Sequence, residues 1–265
     1  MRIHDLVSDV ERHTSPRNET AGGLFQSARK PLLGQLGSGV SPAIVGRVVD
    51  AALLASTPFF AGLDVEAVEA VAGECARRDL KRNDVLFREG DEANELFIVE
   101  RGRVAIANRS EDGRESLVAL MEGGDLFGEM GLFDGIRSAD ARALETSTVV
   151  IVPYGPLREA LDRQPKALWS VVELLARRIR AVDEALADTV FLDVPGRTAK
   201  RLLELAGDGD QFQLPVTQEE LASMVGASRE RVNKAISQFV RLGWLEQQDR
   251  VYRIKDREQL TRRAR

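Results

Sequence analysis

Between Asp125 and Asp140 the chain reads Asp-Leu-Phe-Gly-Glu-Met-Gly-Leu-Phe-Asp-Gly-Ile-Arg-Ser-Ala-Asp, and three of its side chains, Glu129, Arg137 and Ser138, have the chemistry to meet a ligand. The guanidinium fork of Arg137 matches two oxygens of a phosphodiester anion, and charge-assisted bonds of that kind are worth about 1.5–3 kcal/mol each. Gly128 and Gly131 let the backbone turn tightly into a short helix whose free amides and positive end can receive a phosphate. Glu129 would repel that phosphate, so a carboxylate there makes sense as the acceptor for a hydroxyl such as a ribose 2′-OH. An anion for the arginine and a sugar hydroxyl for the glutamate together describe a nucleotide. On spacing alone, the alternative is an Arg137–Glu129 ion pair on a loop.

A second group of polar residues lies near the C-terminus. Thr217 to Glu220 form a capping box that opens a helix through Leu221, Met224 and Val225, with Gln218 in its first turn. Gly226-Ala227-Ser228 turns the chain, and Ser228 caps the next helix. That helix buries Val232, Ile236, Phe239 and Val240 and leaves Arg229, Glu230, Asn233, Lys234 and Gln238 outward. Two short helices joined by a three-residue turn predict a helix-turn-helix, whose second helix can enter a major groove. Arg229 suits guanine and Glu230 suits cytosine N4; Lys234 can reach a guanine or a phosphate, and Thr217 and Ser228 can donate to the backbone. An ordinary helical hairpin is the bland alternative.

Other chemistries are excluded by composition. Cys75 is the single cysteine, which rules out an internal disulfide and an all-cysteine metal site within one chain. The two histidines, His4 and His13, both fall in the polar N-terminal stretch, so neither a histidine-held haem nor a histidine-metal hydrolase is expected, and no catalytic or metal residue is assigned. The net charge of −5 is unevenly spread: residues 195–265 hold 14 Lys plus Arg against 10 Asp plus Glu, or +4, leaving −9 for the remainder. That asymmetry points the C-terminal part towards a polyanion. No apolar run approaches the length of a membrane span and Met1–Val10 is charged, so a cytoplasmic protein with no membrane partner is expected.

The elements that must position these residues follow from pattern. A length of 265 residues with 43% hydrophobic content allows two modules. Residues 1–40 are polar and glycine-rich and are expected to be mostly disordered. Ser41-Pro42 reads as the start of a helix through Ile44, Val45, Val48, Val49, Ala52 and Leu53. Asp64 caps a short helix from Val65 to Cys75, after which glycines punctuate short strands, the clearest being Val85–Phe87, Leu96–Val99, Val104–Ala107, Leu117–Met121 and Thr148–Val152. Asp112-Gly113 is a hairpin signal, and the whole predicts a barrel or jelly roll closed by Gly155-Pro156. From Pro165 to Val194 the apolar residues Leu168, Val172, Leu175, Ile179, Val182 and Leu186 step by four, three, four, three and four, a heptad seam that calls for a twin helix. Pro195-Gly196 then breaks the helix as a hinge. Gly243-Trp244-Leu-Glu and Val251-Tyr-Arg-Ile254 supply the hairpin wing of a winged helix.

With these segments in view, Asp125–Asp140 resembles the phosphate-binding cassette of cyclic-nucleotide-binding domains, and Phe87-Arg-Glu-Gly-Asp91 and Glu100-Arg-Gly102 resemble that family's glycine turns. Gly226-Ala-Ser-Arg-Glu-Arg-Val-Asn-Lys234 resembles the recognition helix of the cyclic AMP receptor protein and fumarate-nitrate regulator family of bacterial transcription factors. The likeness runs over about residues 57–258. It implies an α+β chain: residues 1–56 an extension, 57–164 a β-roll that binds a cyclic nucleotide, 165–194 a dimerisation helix, and 195–265 a winged helix-turn-helix. It also implies that Glu129 takes the ribose hydroxyl and Arg137 the cyclic phosphate. By the same resemblance Ser138 would add a phosphate contact, and Gly128 and Met130 would border the ligand.

Two departures stand out. The interval from Glu129 to Arg137 is shorter than in typical members, and Val182 and Asp183 stand where members sensing cyclic AMP present hydroxyls to adenine. A carboxylate accepts one hydrogen from adenine's amino group but two from the N1–H and N2–H edge of guanine. Cyclic GMP and cyclic di-GMP therefore stand beside cyclic AMP, unless Asp183 simply pairs with Arg180 on a solvated face. No other cofactor is implied. The expected partners are double-stranded DNA carrying an inverted repeat, a second copy of the chain and RNA polymerase. A nucleotide-hydrolysing enzyme and a DNA-binding dimer with an empty roll are the rival readings.

Overall fold

The computed structural model describes residues 44–45, 49–110 and 115–265, with side chains from Val49 onward. The expectations for residues 1–40, for the start at Ser41-Pro42 and for Asp112-Gly113 lie outside the described residues. Ile44–Val45 is a strand (β1), not helix, and pairs antiparallel with Ala76–Leu80 (β2), Ile44 opposite Arg78. Their spacing suits a helix, but both are β-branched, and the edge of β2 offers a ladder that such residues fit better. The helix starts later, at Ala51–Ser56 (α1), where Asp50 accepts from Ala52 N at 2.9 Å. Asp64 caps Val65–Gly73 (α2) as expected.

The roll continues through Val85–Phe87 (β3), Glu95–Arg101 (β4), Val104–Arg109 (β5), Glu115–Met121 (β6) and Leu126–Phe127 (β7). After them come Gly131–Asp134 (α3), Asp140–Ala143 (β8) and Ser147–Pro153 (β9). One sheet runs β1-β2-β9-β4-β7 and the other β3-β8-β5-β6. Leu96-Phe-Ile-Val99 is a continuous apolar run because β4 is buried on both faces. Phe97 and Val99 face the roll interior with Phe87, Phe127 and Val149, while Leu96 and Ile98 face a layer built on α1, α2 and Tyr154–Arg163 (α4). The rings of Phe97 and Phe127 stack at 5.3 Å and Phe87 lies 5.6 Å from Phe97. The expected end of the roll at Gly155-Pro156 falls inside the first turn of α4.

Leu168–Phe191 (α5) is one helix of 24 residues, about 36 Å long. Val171 is buried and Leu174 and Leu175 pack on the roll's outer core. Leu175 of the expected seam is thus half-buried against the roll, while Leu168, Val172, Ile179, Val182 and Leu186 stay exposed, joined by Trp169, Val190 and Phe191. The break comes at Leu192-Asp193, before Pro195. Asp193 caps Val194–Ala206 (α6) by accepting from Gly196 N at 2.9 Å, so Pro195 sits in the first turn, where a proline costs no hydrogen bond.

The C-terminal head comprises α6, Gln211–Gln213 (β10), Gln218–Val225 (α7), Arg229–Arg241 (α8), Leu245–Gln248 (β11), Val251–Ile254 (β12) and Arg257–Arg263 (α9). Its core gathers Leu202, Leu221, Val232, Ala235, Ile236, Phe239, Leu245, Tyr252 and Leu260. Val240 is exposed and Ala235 takes the buried place, a shift of one position round the helix. Among the described residues no helix is long and apolar enough to cross a membrane.

Candidate functional site

Gly128 has φ +81°, and a Cβ there would stand 2.8 Å from an Arg137 nitrogen and 3.4 Å from the Phe97 ring, so the turn requires glycine. It brings Glu129 beneath the roll wall, where the carboxylate is 0% exposed. Oε1 accepts from Arg178 on α5, and the second guanidinium nitrogen of Arg178 donates to Leu126 O at 2.6 Å. Oε2 has no partner among the described residues. Burial pushes the Glu129 carboxyl above its ordinary range, while the charge of Arg178 pulls it down.

Arg137 is 3% exposed and turned inward. Nη1 donates to Glu95 O at 2.8 Å and Gly128 O at 3.2 Å, and Nη2 meets the Glu95 carboxylate at 3.4 Å. The guanidinium lies 4.2 Å from the centre of the Phe87 ring and 5.3 Å from that of Phe97. Tyr154 donates to Gly128 O and accepts from Arg137 Nη1 at 3.4 Å; burial holds its phenol up at about 12, so it keeps its proton. Arg137 Nε has no partner among the described residues. The Arg137–Glu129 ion pair of the alternative reading is absent among the described residues: each takes a different counter-ion. Two buried, opposite charges on one loop thus each keep one polar atom unsatisfied, an arrangement that costs free energy unless a ligand supplies the missing bonds.

The expected helix end for a phosphate is a single turn. In α3 the amides of Leu132, Phe133 and Gly135 are used by Glu129 O, Met130 O and Gly131 O, and so few aligned peptides carry little dipole. Met130 and Ser138 are exposed beside the loop. Val182 is one turn after Arg178 on the same side of α5, whereas Asp183 lies about 140° round from Arg178 by the helical repeat. Asp183 is exposed and makes no ion pair with a described residue, Arg180 included. Arg178, off the seam and next to Arg177 and Arg180, gave no sequence signal of its own; only the fold selects it.

In the head, Gly226 is left-handed (φ 67°) and sets α8 against α7. The Thr217 hydroxyl accepts from Glu220 N at 3.2 Å and Ser228 accepts from Arg231 N at 3.4 Å, so both are helix caps. Gln218 ties α7 to the wing by donating to the Tyr252 hydroxyl at 2.5 Å. Arg229, Glu230 and Lys234 are exposed and without ion pairs to described residues, and Asn233 is half-buried between them. A cleft of about 600 Å³ lined by Lys234, Ser237, Val240, Arg241 and Gln247 separates α8 from the wing. Arg241 and Gln247 add a cation and an amide that the helix pattern alone did not single out.

Cys75 is not poised for nucleophilic chemistry: its thiol donates to Val71 O at 3.2 Å, and burial pushes it up to about 12. Among the described residues no group of His, Cys, Asp and Glu could hold a metal.

Residues 77–164 match the family model for the cyclic nucleotide-binding domain, and residues 196–263 that for the Crp-like helix-turn-helix domain. The chain is 38% identical over 221 residues to a CRP-like cAMP-activated global transcriptional regulator of Mycobacterium tuberculosis, covering 80% of this chain and 99% of that one. It is 30% identical over 177 residues to the cAMP-activated global transcriptional regulator CRP of Salmonella typhimurium, covering 64% and 84%. Among solved structures it is similar to the c-di-GMP responsive global regulator CLP of Xanthomonas campestris, with TM-score 0.63, 25% identity, and 72% and 99% of the two chains covered.

Proposed function

Because the chain belongs to the CRP/FNR family of bacterial transcription regulators, we propose that it is a homodimer that binds cyclic AMP in its β-roll and an inverted-repeat duplex through its two heads. Membership makes it a cyclic nucleotide-binding, DNA-binding regulator and not an enzyme. The single observation that carries the ligand reading is the pair of unsatisfied buried atoms, Glu129 Oε2 and Arg137 Nε, on one loop. Glu129 Oε2 would accept the ribose hydroxyl. Arg137 would present Nε to the cyclic phosphate, or turn out of its aromatic cage to present the whole fork, and Ser138 would add a hydroxyl.

Arg178 bonds to Glu129 from α5, so a nucleotide seated there touches roll and spine together, and its differential affinity for two arrangements of α5 would move the heads. The exposed residues Leu168, Val172, Ile179, Val182, Leu186 and Phe191 would form the seam with a second copy. The recognition helices would then enter successive major grooves, about 34 Å apart, with Arg229, Glu230, Asn233 and Lys234 on bases, Thr217, Gln218 and Ser228 on the backbone, and RNA polymerase as the downstream partner. This reading divides the chain into an extension (1–56), a roll (57–164), a spine (165–194) and a head (195–265), acting in the cytoplasm.

A guanine cyclic nucleotide is the second reading. It is favoured by the likeness to a regulator described as c-di-GMP responsive and by the apolar Val182 on the Arg178 side of α5, whereas Asp183 lies about 140° round the helix from Arg178. Calorimetric titration with cyclic AMP, cyclic GMP and cyclic di-GMP separates them. The proposal expects saturable binding strongest for cyclic AMP; preference for a guanine ligand selects the second reading, and no binding by any of the three overturns both.

A further inference from the structure

Strands β5 and β6 form a two-sided sheet edge between the candidate nucleotide site and the head. On one face Val104, Ile106 and Met121 join the cluster of Phe87, Phe97 and Phe127, of which the Phe87 and Phe97 rings lie against Arg137. On the other, Ala105, Leu117 and Leu120 belong to the head's own apolar core, with Leu144 beside them. A bulge at Val118 makes this alternation work: Ile106 pairs with Ala119 and Ala107 with Leu117, so Leu117 and Leu120, three apart, reach the same face.

β6 is an outer strand of its sheet, and an outer strand leaves backbone groups to be satisfied. The Ser223 hydroxyl, on α7, satisfies two of them at once. It donates to Glu115 O at 2.7 Å and accepts from Leu117 N at 2.8 Å, standing in for a strand one residue long. Two polar ties flank it. Arg142 bridges Glu115 (2.9 Å) and Glu220 (3.6 Å), and Glu220 is also the carboxylate that takes Thr217 N at the start of α7. Arg103 donates to Pro215 O at 3.3 Å. The docked surface is that of α7, while Arg229, Glu230 and Lys234 on α8 remain exposed, so the contact fixes the head's orientation without covering its reading face.

We propose that Ser223 is the positioning residue through which the β6 edge holds the head, and that the β5–β6 layer carries nucleotide occupancy at Arg137 to it. A shift in the caged guanidinium displaces Ile106 and Met121, and the opposite face of the same two strands displaces Leu117 and its clasp. The second half rests on the nucleotide reading above; the clasp itself does not.

The test uses the full-length wild type, Ser223→Ala and Arg142→Gln. Hydrogen exchange in the peptide covering Glu115–Met121 should speed up by about tenfold in Ser223→Ala, since the Leu117 amide loses its acceptor; unchanged exchange overturns the clasp. The affinity for an inverted-repeat duplex selected by the wild type from random sequence is then measured with and without cyclic AMP. The ratio of the two should shrink by about fivefold or more towards unity in both variants, with cyclic AMP affinity unchanged by calorimetry. A ratio equal to that of the wild type overturns the coupling role. A wild type whose ratio is already unity contradicts the nucleotide reading instead, and the exchange result still decides the clasp.

Discussion

Replacing Arg178 by methionine keeps the apolar stem and removes the cation that meets Glu129. Taking one partner from a buried ion pair costs about 3–5 kcal/mol when both are enclosed, because a charge is left without compensation. Here Glu129 is fully enclosed but the Arg178 side chain is 33% exposed, and Glu129 can escape by binding a proton. Solvent screening and that escape reduce the loss to about 1–3 kcal/mol at pH 7. For a chain of this size that is a fall in Tm of about 2–12 °C.

The sign of the pH dependence follows from the same pair. Burial already raises the Glu129 carboxyl and Arg178 opposes the rise, so in the variant it rises further. A carboxyl raised in the folded state contributes stability below its unfolded pKa and loses it as pH climbs through the folded value. The deficit of the variant should therefore be small near pH 4.5 and grow towards neutrality. Thermal melts of both proteins across that range check it, and a deficit that is constant with pH, or absent at pH 7, would refute the coupling of these two residues.

Three further outcomes are expected. Arg137→Ala should weaken cyclic nucleotide binding by about tenfold or more in a calorimetric titration, while leaving any weak binding of the phosphate-free nucleoside unchanged; equal loss for both would mark Arg137 as a purely structural tie. Arg229→Ala should lose about 1–3 kcal/mol of discrimination at one base pair in a mobility-shift series, and uniform loss over all sequences would argue against base reading. The double substitution Ile179→Lys, Leu186→Lys, at side chains that are 62% and 63% exposed, should leave helix content intact and give a monomer by sedimentation at micromolar concentration; a persistent dimer would place the seam elsewhere.

Much of this was legible because period and punctuation are local. Val85–Phe87 was bounded to the residue, and the capping box at Thr217–Glu220, the left-handed Gly226 and the cap at Ser228 all formed where side-chain chemistry dictates. The short strands β7 and β8 escaped notice because they borrow their order from neighbours and carry too few residues for alternation. Ile44–Val45 was misread because the same apolar residues satisfy both periods until β2 supplies an edge. The helix break moved from Pro195 to Asp193 because a proline is as well placed inside a first turn as beyond a last one.

At the candidate site, Gly128, Glu129 and Arg137 were singled out by residue type, and Gly128 and Arg137 do meet. The direction of the Arg137 side chain was not legible, because the short interval after Glu129 and the Phe87 and Phe97 faces decide it. Arg178, 49 residues along the chain from Glu129, could be recognised only once α5 was laid against the roll.

The account stands most directly on the affinity of the full-length protein for an inverted-repeat duplex, measured by fluorescence anisotropy with and without saturating cyclic nucleotide. It predicts two clearly separated affinities, with the difference abolished in Glu129→Gln. Identical affinities under both conditions, at a ligand concentration shown by calorimetry to fill the roll, would contradict it.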